Sequence, residues 1–324
     1  MKVIPLDPVG VEITEIDLQS ATQREYKVIR DTFIDHQLVL IRTQRYDDPL
    51  YYARMVESIS SRGITDLQTC NGFANRFVGE VLGRGTKPGI HFEMWPPDGI
   101  AKQPSTWTNE RPFPVQRVTG EKYQGIMPGL FPRGSLLWHS DKMGPNHVNS
   151  TSLMAHTPNN TSTSFIHTPS AYKDIPDDIK QLCHRAVCEY RFNVDLLAPD
   201  DPDPYSVNKH LLLKSQKKQN GGLEFTLPVI VNNARGDVIG LYFNFNVLER
   251  LHGTGSEQTD RELCDYLKQH LTKPQYCYRH WWKEGDIVLF SQDQTLHSRE
   301  DITNDQLEKR LLFRYGFHIN PVAI

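Results

Sequence analysis

Apolar residues in the later part of the chain come in short runs separated by turn residues, and this pattern limits the fold more than any other feature. Residues 223–231, 238–245, 286–290 and 311–319 each read as a strand, with one helix over 259–270 between them. Upstream, residues 10–18 alternate apolar and polar side chains as a half-buried strand does, and 23–35 carry apolar residues at helical spacing. Residues 36–42 form a short continuous apolar run, expected of a strand covered on both faces, and a second helix is expected over 49–58. A further helix is expected over 170–187, opening around Pro176. Many short strands, with few helices and those mostly N-terminal or inserted, indicate a mainly β chain with flanking helices (α+β). A β-sandwich or barrel fits this pattern better than an alternating βαβ sheet. No Gly-rich phosphate loop is present, which argues against a nucleotide-binding α/β fold.

The 324 residues contain no repeat and no low-complexity linker, so residues 1–324 read as one domain, and 38% hydrophobic content suffices for its core. Residues 65–133 are rich in Gly, Pro, Trp and Asn and have no sustained period. They read as a loop-rich insertion or lid that contributes to a substrate pocket. Lys and Arg number 36 against 39 Asp and Glu, a net charge of −3 that offers no broad attraction to nucleic acid or an anionic membrane. The best basic run, residues 214–218, reads as a solvated loop tip. No uncharged apolar run approaches the roughly 20 residues that span a bilayer, and the N-terminus has no apolar signal segment. The expected location is the cytoplasm, with the five scattered cysteines reduced. The expected partner is a small-molecule substrate, with neither nucleic acid nor membrane; homo-oligomerisation is left open.

Leu136-Leu137-Trp138-His139-Ser140-Asp141 carries the sharpest local signal. On an extended strand residues i and i+2 share a face, so His139 and Asp141 can present an imidazole and a carboxylate to one ion. A third candidate ligand, His297, follows the apolar run 286–290 and must arrive by tertiary folding. Two imidazoles and one carboxylate leave open positions on an octahedral ion, the facial arrangement of non-haem iron(II) oxygenases. A chain with 13 histidines produces such a tripeptide by chance, so the motif alone is weak. The segment from Arg310 to His318 adds the missing weight: period two puts Arg310, Arg314 and His318 on one face and bulky apolar residues on the other. Guanidiniums pointing inward call for an anion, and the distal carboxylate of 2-oxoglutarate is a suitable one.

With these residues in view, the chain resembles the taurine dioxygenase family of iron(II)- and 2-oxoglutarate-dependent oxygenases. Beyond the ligands, the resemblance is carried by Trp282-Lys283-Glu284-Gly285-Asp286, the arginine pair, and segments 10–18, 36–42, 161–176 and 241–246. It implies a double-stranded β-helix (jelly-roll, cupin-like) core, with Fe(II) held by His139, Asp141 and His297 and with 2-oxoglutarate and O2 as co-substrates. It further implies that Arg310 and Thr163 bind the distal carboxylate of 2-oxoglutarate, and that Arg314 binds an anionic group of the substrate. Halogenating relatives lack the metal-binding carboxylate; Asp141 therefore implies hydroxylation or another oxygenase outcome on a small anionic or amino-acid-like substrate. Lys142 and His147 join Arg314 as candidate substrate contacts, and His91 is a further pocket candidate. The chain departs from taurine dioxygenase where that enzyme has an Asp-Asn-Arg triplet before the last ligand: here it reads Ser291-Gln292-Asp293, which argues against taurine as the substrate and leaves the iron chemistry in place. Two rival readings are a metal-binding jelly-roll protein without redox turnover and a demethylase acting on a macromolecule. The second is disfavoured by the −3 charge and the absence of a basic stripe.

Overall fold

The structure, a computed structural model, describes residues 1–42, 44, 49–60, 115–119, 134–142, 149–191, 224–303, 305–306 and 310–320. In chain order its strands begin with β1 (Lys2–Pro5), β2 (Val11–Thr14), β3 (Leu38–Ile41), β4 (Val115–Thr119), β5 (Leu136–His139), β6 (Ser150–Thr157), β7 (Ser162–His167) and β8 (Val187–Arg191). They continue with β9 (Glu224–Pro228), β10 (Ile230–Asn232), β11 (Ile239–Leu241), β12 (Leu248–His252), β13 (Cys277–Trp281), β14 (Ile287–Ser291), β15 (Thr295–Arg299) and β16 (Leu311–Phe317). The α-helices are α1 (Gln23–His36), α2 (Pro49–Ile59), α3 (Thr168–Lys173), α4 (Asp177–Arg185) and α5 (Glu257–Leu271). The fold is mainly β with few helices, as the short apolar runs require.

Strand alternation explains the layering. Seven strands in the order β1-β2-β3-β14-β6-β16-β4 make the large sheet, and β13-β7-β15-β5 make a smaller one. Val39, Ile41, Ile287, Leu289, Phe313, Tyr315 and Phe317 point from the large sheet to α1 and α2. Their neighbours Leu38, Leu40, Val288, Phe290 and Leu312 point the other way, to Phe165 and Tyr278 of the small sheet. Phe165 and Phe290 meet across this inner layer with ring centroids 5.1 Å apart. The outer face of the small sheet, at Ile166 and Leu296, packs on Leu263, Leu267 and Leu271 of α5. Both sheets are therefore covered on both faces, so β3 and β14 read as continuous apolar runs without alternation.

Local chemistry sets the element ends. Thr22 caps α1 through a capping box: its hydroxyl accepts from the Glu25 N–H while the Glu25 carboxylate accepts from the Thr22 N–H at 2.8 Å. The helix stops at Gln37, which takes a left-handed φ of 56°. The single helix expected over 170–187 is two helices. Pro176 has no N–H to continue α3 and restricts Ile175, so the chain breaks there and α4 restarts with Pro176 as its N-cap; by Val187 it is already strand. The run 223–231 is likewise split, into β9 and β10 in different sheets, and 238–245 holds only the three residues of β11. Within 65–133 only 115–119 is described, and it forms the edge strand β4; His91 and His147 lie outside the described residues. Among the described residues no helix is long and apolar enough to cross a membrane.

Candidate metal centre

Strand pairing brings two of the candidate ligands together. β15 pairs antiparallel with β5, and the register sets His297 directly opposite His139. Their rings lie 4.1 Å apart, and Phe290 walls the His297 ring at 5.0 Å. His139, Asp141 and His297 form a cluster whose ligand atoms all lie within 4.8 Å of one another. Asp141 Oδ1 is 3.6 Å from His139 Nε2 and 3.8 Å from His297 Nε2. Two imidazole nitrogens and one carboxylate oxygen facing a common point are the donor set that suits Fe(II) with open positions.

Asp141 is not aimed by strand alternation, as its i+2 spacing suggests, because β5 ends at His139. Gln292 and Arg314 aim it. The Gln292 side-chain oxygen accepts from the Asp141 N–H at 2.7 Å and from the Ser140 hydroxyl at 2.9 Å, while its amide nitrogen donates to Asp141 Oδ2 at 3.2 Å. Arg314 donates to the same Oδ2 through Nε at 3.1 Å and Nη2 at 2.8 Å. With Oδ2 held by N–H donors, Oδ1 is left facing the histidines, an arrangement for monodentate binding. Burial pushes the Asp141 carboxyl upward, but Arg314, His297 and His139 hold it well below the usual carboxylate range. His139 donates Nδ1–H to the Leu137 carbonyl at 2.6 Å, which leaves Nε2 as the lone-pair nitrogen. His297, depressed to about 3 by burial first and then by His139, is neutral and so fit to bind a metal.

A second cluster lies one step along the same inner face. On β15, His297 and Arg299 share a face, and two residues advance roughly 7 Å. β7 pairs Phe165 with His297, and Thr163, two residues from Phe165 on the same strand, shares its inner face. Arg310 is 3% exposed, and its Nε has no hydrogen-bond partner among the described residues. Burial, and then the charge of Arg299, push the Arg310 pKa well below the usual arginine value. A buried guanidinium in this state favours an incoming carboxylate.

The other candidates are less close to the ligands. The Lys142 ammonium is engaged by Asp293 and lies 5.8 Å from the Tyr242 ring centre. Arg310 and His318 flank β16 and are not within it, and the His318 carbonyl accepts from the Ser60 hydroxyl at 3.0 Å. Gln292, 1% exposed, was not singled out as a site residue. Its only trace in the sequence is a polar residue at the end of an apolar run, where the family has another side chain. Gln292→Leu keeps the volume but leaves the Asp141 N–H unpaired and Oδ2 held by Arg314 alone. Divalent metal affinity is expected to fall roughly 10- to 100-fold, measured by calorimetric titration with circular dichroism as the check on folding.

Comparison with known proteins agrees with this geometry. The 2,4-dichlorophenoxyacetate dioxygenase of Burkholderia sp. strain RASC, named as α-ketoglutarate-dependent, is 27% identical over 177 residues, covering 52% of this chain and 54% of the relative. The chain thus spans about half the length of that curated relative. A taurine dioxygenase crystal structure from Burkholderia xenovorans shares the fold at a TM-score of 0.64 and 16% identity, covering 98% of this chain and 88% of the other. AAD-2, solved with Mn(II) and N-oxalylglycine, superposes at a TM-score of 0.64 and 17% identity, covering 100% and 99% of the two chains. The model of the taurine catabolism dioxygenase TauD, TfdA family matches residues 2–315, nearly the whole chain, and the protein belongs to that family.

Proposed function

We propose that this chain is an Fe(II)- and 2-oxoglutarate-dependent dioxygenase that hydroxylates a small, anionic or amino-acid-like substrate. The observation that carries the reading is the His139, Asp141 and His297 cluster, together with a buried Arg310 close enough to feel the charge of Arg299 and with no partner for its Nε among the described residues. This set of side chains suits a five-carbon keto-diacid whose keto acid end faces the metal and whose far carboxylate meets Arg310 and Thr163. We assign the two facing sheets to the double-stranded β-helix core of the family.

When bound, iron, 2-oxoglutarate and O2 together supply the oxidation: one oxygen atom goes to the substrate as a hydroxyl and the other to succinate, with release of CO2. The chain supplies aim and charge. The Leu137 carbonyl accepts from His139 Nδ1–H and so turns Nε2 toward the metal, and His297, held neutral by burial, has no proton to lose on binding it. Gln292 and Arg314 fix Asp141 so that one oxygen is presented. Phe165 and Phe290 pack against the His297 ring at 6.4 and 5.0 Å and keep water from its far side. Arg314 is our candidate for an anionic substrate group, acting from beside Asp141, whereas Lys142, engaged by Asp293, we assign to holding the turn after Asp141.

The test is a screen of amino acids, sulfonates, phosphonates and aryloxy acids for succinate release matched by O2 uptake. A substrate that gives product and succinate in equal amounts supports the proposal. A chain that binds metal and yields no succinate with or without any candidate supports a metal-binding role without turnover.

A further inference from the structure

We infer that Trp282 is a positioning residue for the co-substrate: its indole N–H dictates which way the Thr163 hydroxyl donates, and so fits that hydroxyl to the far carboxylate of 2-oxoglutarate. The inference rests on the co-substrate reading above and extends it to a residue that does not touch the metal.

The argument begins with the donor inventory. Trp282 Nε1 lies 2.9 Å from Thr163 Oγ1, and both side chains are 4% exposed. An indole N–H only donates, whereas a threonine hydroxyl both donates and accepts. The contact therefore has one polarity: Trp282 donates and Thr163 accepts. The Thr163 hydroxyl proton must then turn away from the indole, and among the described residues it has no acceptor of its own. A buried O–H with a fixed direction and no partner is unfavourable in the protein alone and favourable once an anion arrives. Without the indole, the hydroxyl is free to rotate and to present a lone pair, which a carboxylate repels.

Trp282 is itself held against rotation, as a positioning group must be. Its backbone N–H donates to the Thr161 carbonyl at 3.1 Å, and the His280 ring meets the indole edge-on at 4.5 Å. His280 Nε2 is 3.1 Å from Asp286 Oδ2, and Arg42 Nη1 lies 3.1 Å from the same oxygen; His280 and Asp286 are each 1% exposed. Asp286 also accepts from the Lys283 N–H at 3.0 Å, closing a turn through Gly285 at a φ of +80°. A Cβ on Gly285 would sit 2.2 Å from the Gln44 carbonyl oxygen, so only glycine fits. The Trp-x-x-Gly-Asp run thus has a mechanical meaning: Gly285 makes the turn, Asp286 closes it through the Lys283 N–H, and the turn and the His280 ring together steady the indole that orders Thr163.

The experiment loads the full-length chain with Mn(II), which binds without turnover, and titrates it calorimetrically with 2-oxoglutarate and with 2-oxobutyrate, which lacks the far carboxylate. Trp282→Phe is expected to weaken 2-oxoglutarate binding roughly 5- to 10-fold, the range for one ordered hydrogen bond, and to leave 2-oxobutyrate unchanged. Thr163→Val should show the same selective loss, and the double variant should be no worse than either single one. Equal weakening of both acids, unchanged 2-oxoglutarate affinity, or additive losses in the double variant would overturn the inference while leaving the co-substrate reading intact. A measurement on the wild-type chain stands beside the variants should Trp282→Phe not fold. With diamagnetic Zn(II) bound, the Trp282 indole N–H resonance is expected to move on adding 2-oxoglutarate and to stay in place with 2-oxobutyrate; no movement with either contradicts the inference. Failure of the wild-type chain to bind 2-oxoglutarate at all overturns the co-substrate reading, and this inference with it.

Discussion

Arg310→Ala weakens 2-oxoglutarate binding by about 2–5 kcal/mol, roughly 30- to 5,000-fold, and leaves the chain without co-substrate no less stable than the wild type. The two halves of this prediction have one cause. Arg310 is 3% exposed, its Nε has no partner among the described residues, and the charge of Arg299 lies close enough to disfavour its protonated form further. A buried cation in that setting is unfavourable until an anion joins it. Removing the guanidinium relieves the protein without ligand and deprives the bound state of its main carboxylate partner. Calorimetric titration of the Mn(II)-loaded protein reads the first half, and denaturant unfolding without ligand reads the second. Arg310→Met, which fills more of the volume left behind, should unfold at least as late as the wild type.

The opposite pattern is expected at Asp141. Asp141→Ala removes one of three ligands, and divalent metal affinity should fall by more than about 100-fold, the upper figure for residues that only support a ligand. It also takes from Arg314 a carboxylate oxygen bound through two nitrogens, at 2.8 and 3.1 Å. The Asp141 and Arg314 side chains are 24% and 15% exposed, so the loss of stability falls short of that for a fully buried pair and is expected to be about 1–3 kcal/mol. Of two substitutions that each remove one charge from the site, one destabilises the protein without ligand and the other does not. Metal titration and urea unfolding of the two variants side by side check this contrast.

The residue types that do chemistry were legible in the sequence, while their mutual support was not. His139, Asp141 and His297 were found because donor types and an open apolar run announce a metal site even across a long separation. Their convergence rests on one antiparallel register, His297 against His139, which no local pattern encodes. Period two read β16 correctly: Phe313, Tyr315 and Phe317 face the helices while Leu312 faces the small sheet. The same rule put Asp141 with His139 as the structure has it but for another reason, because the strand stops at His139 and a glutamine from the β14–β15 connection sets the Asp141 orientation. Gln292 stands in the sequence as a departure from the family pattern, but nothing gives it a role, since one polar side chain after an apolar run reads as a strand end. Strands such as β6, β8 and β13 were missed for a related reason. Ser150, Thr151 and Ser152 of β6 are buried polar residues, so the strand lacks an apolar signature although it sits between β14 and β16. The helix break at Pro176 was visible as a proline but was read as a helix start within one longer helix. The Trp282 and Gly285 pattern was recognised as a family mark, and its physical meaning emerges only from the contacts among Thr163, His280 and Asp286.

The central claim, that His139, Asp141 and His297 hold one ferrous ion to which 2-oxoglutarate binds, has a direct optical test. Under anaerobic conditions, adding one equivalent of Fe(II) and then 2-oxoglutarate to the wild-type chain should produce the weak visible charge-transfer absorption of the chelate, saturating at one of each per chain. His297→Ala should abolish it. Full formation of that band in the His297→Ala protein, or its absence from a folded wild-type chain at saturating iron and 2-oxoglutarate, contradicts the account.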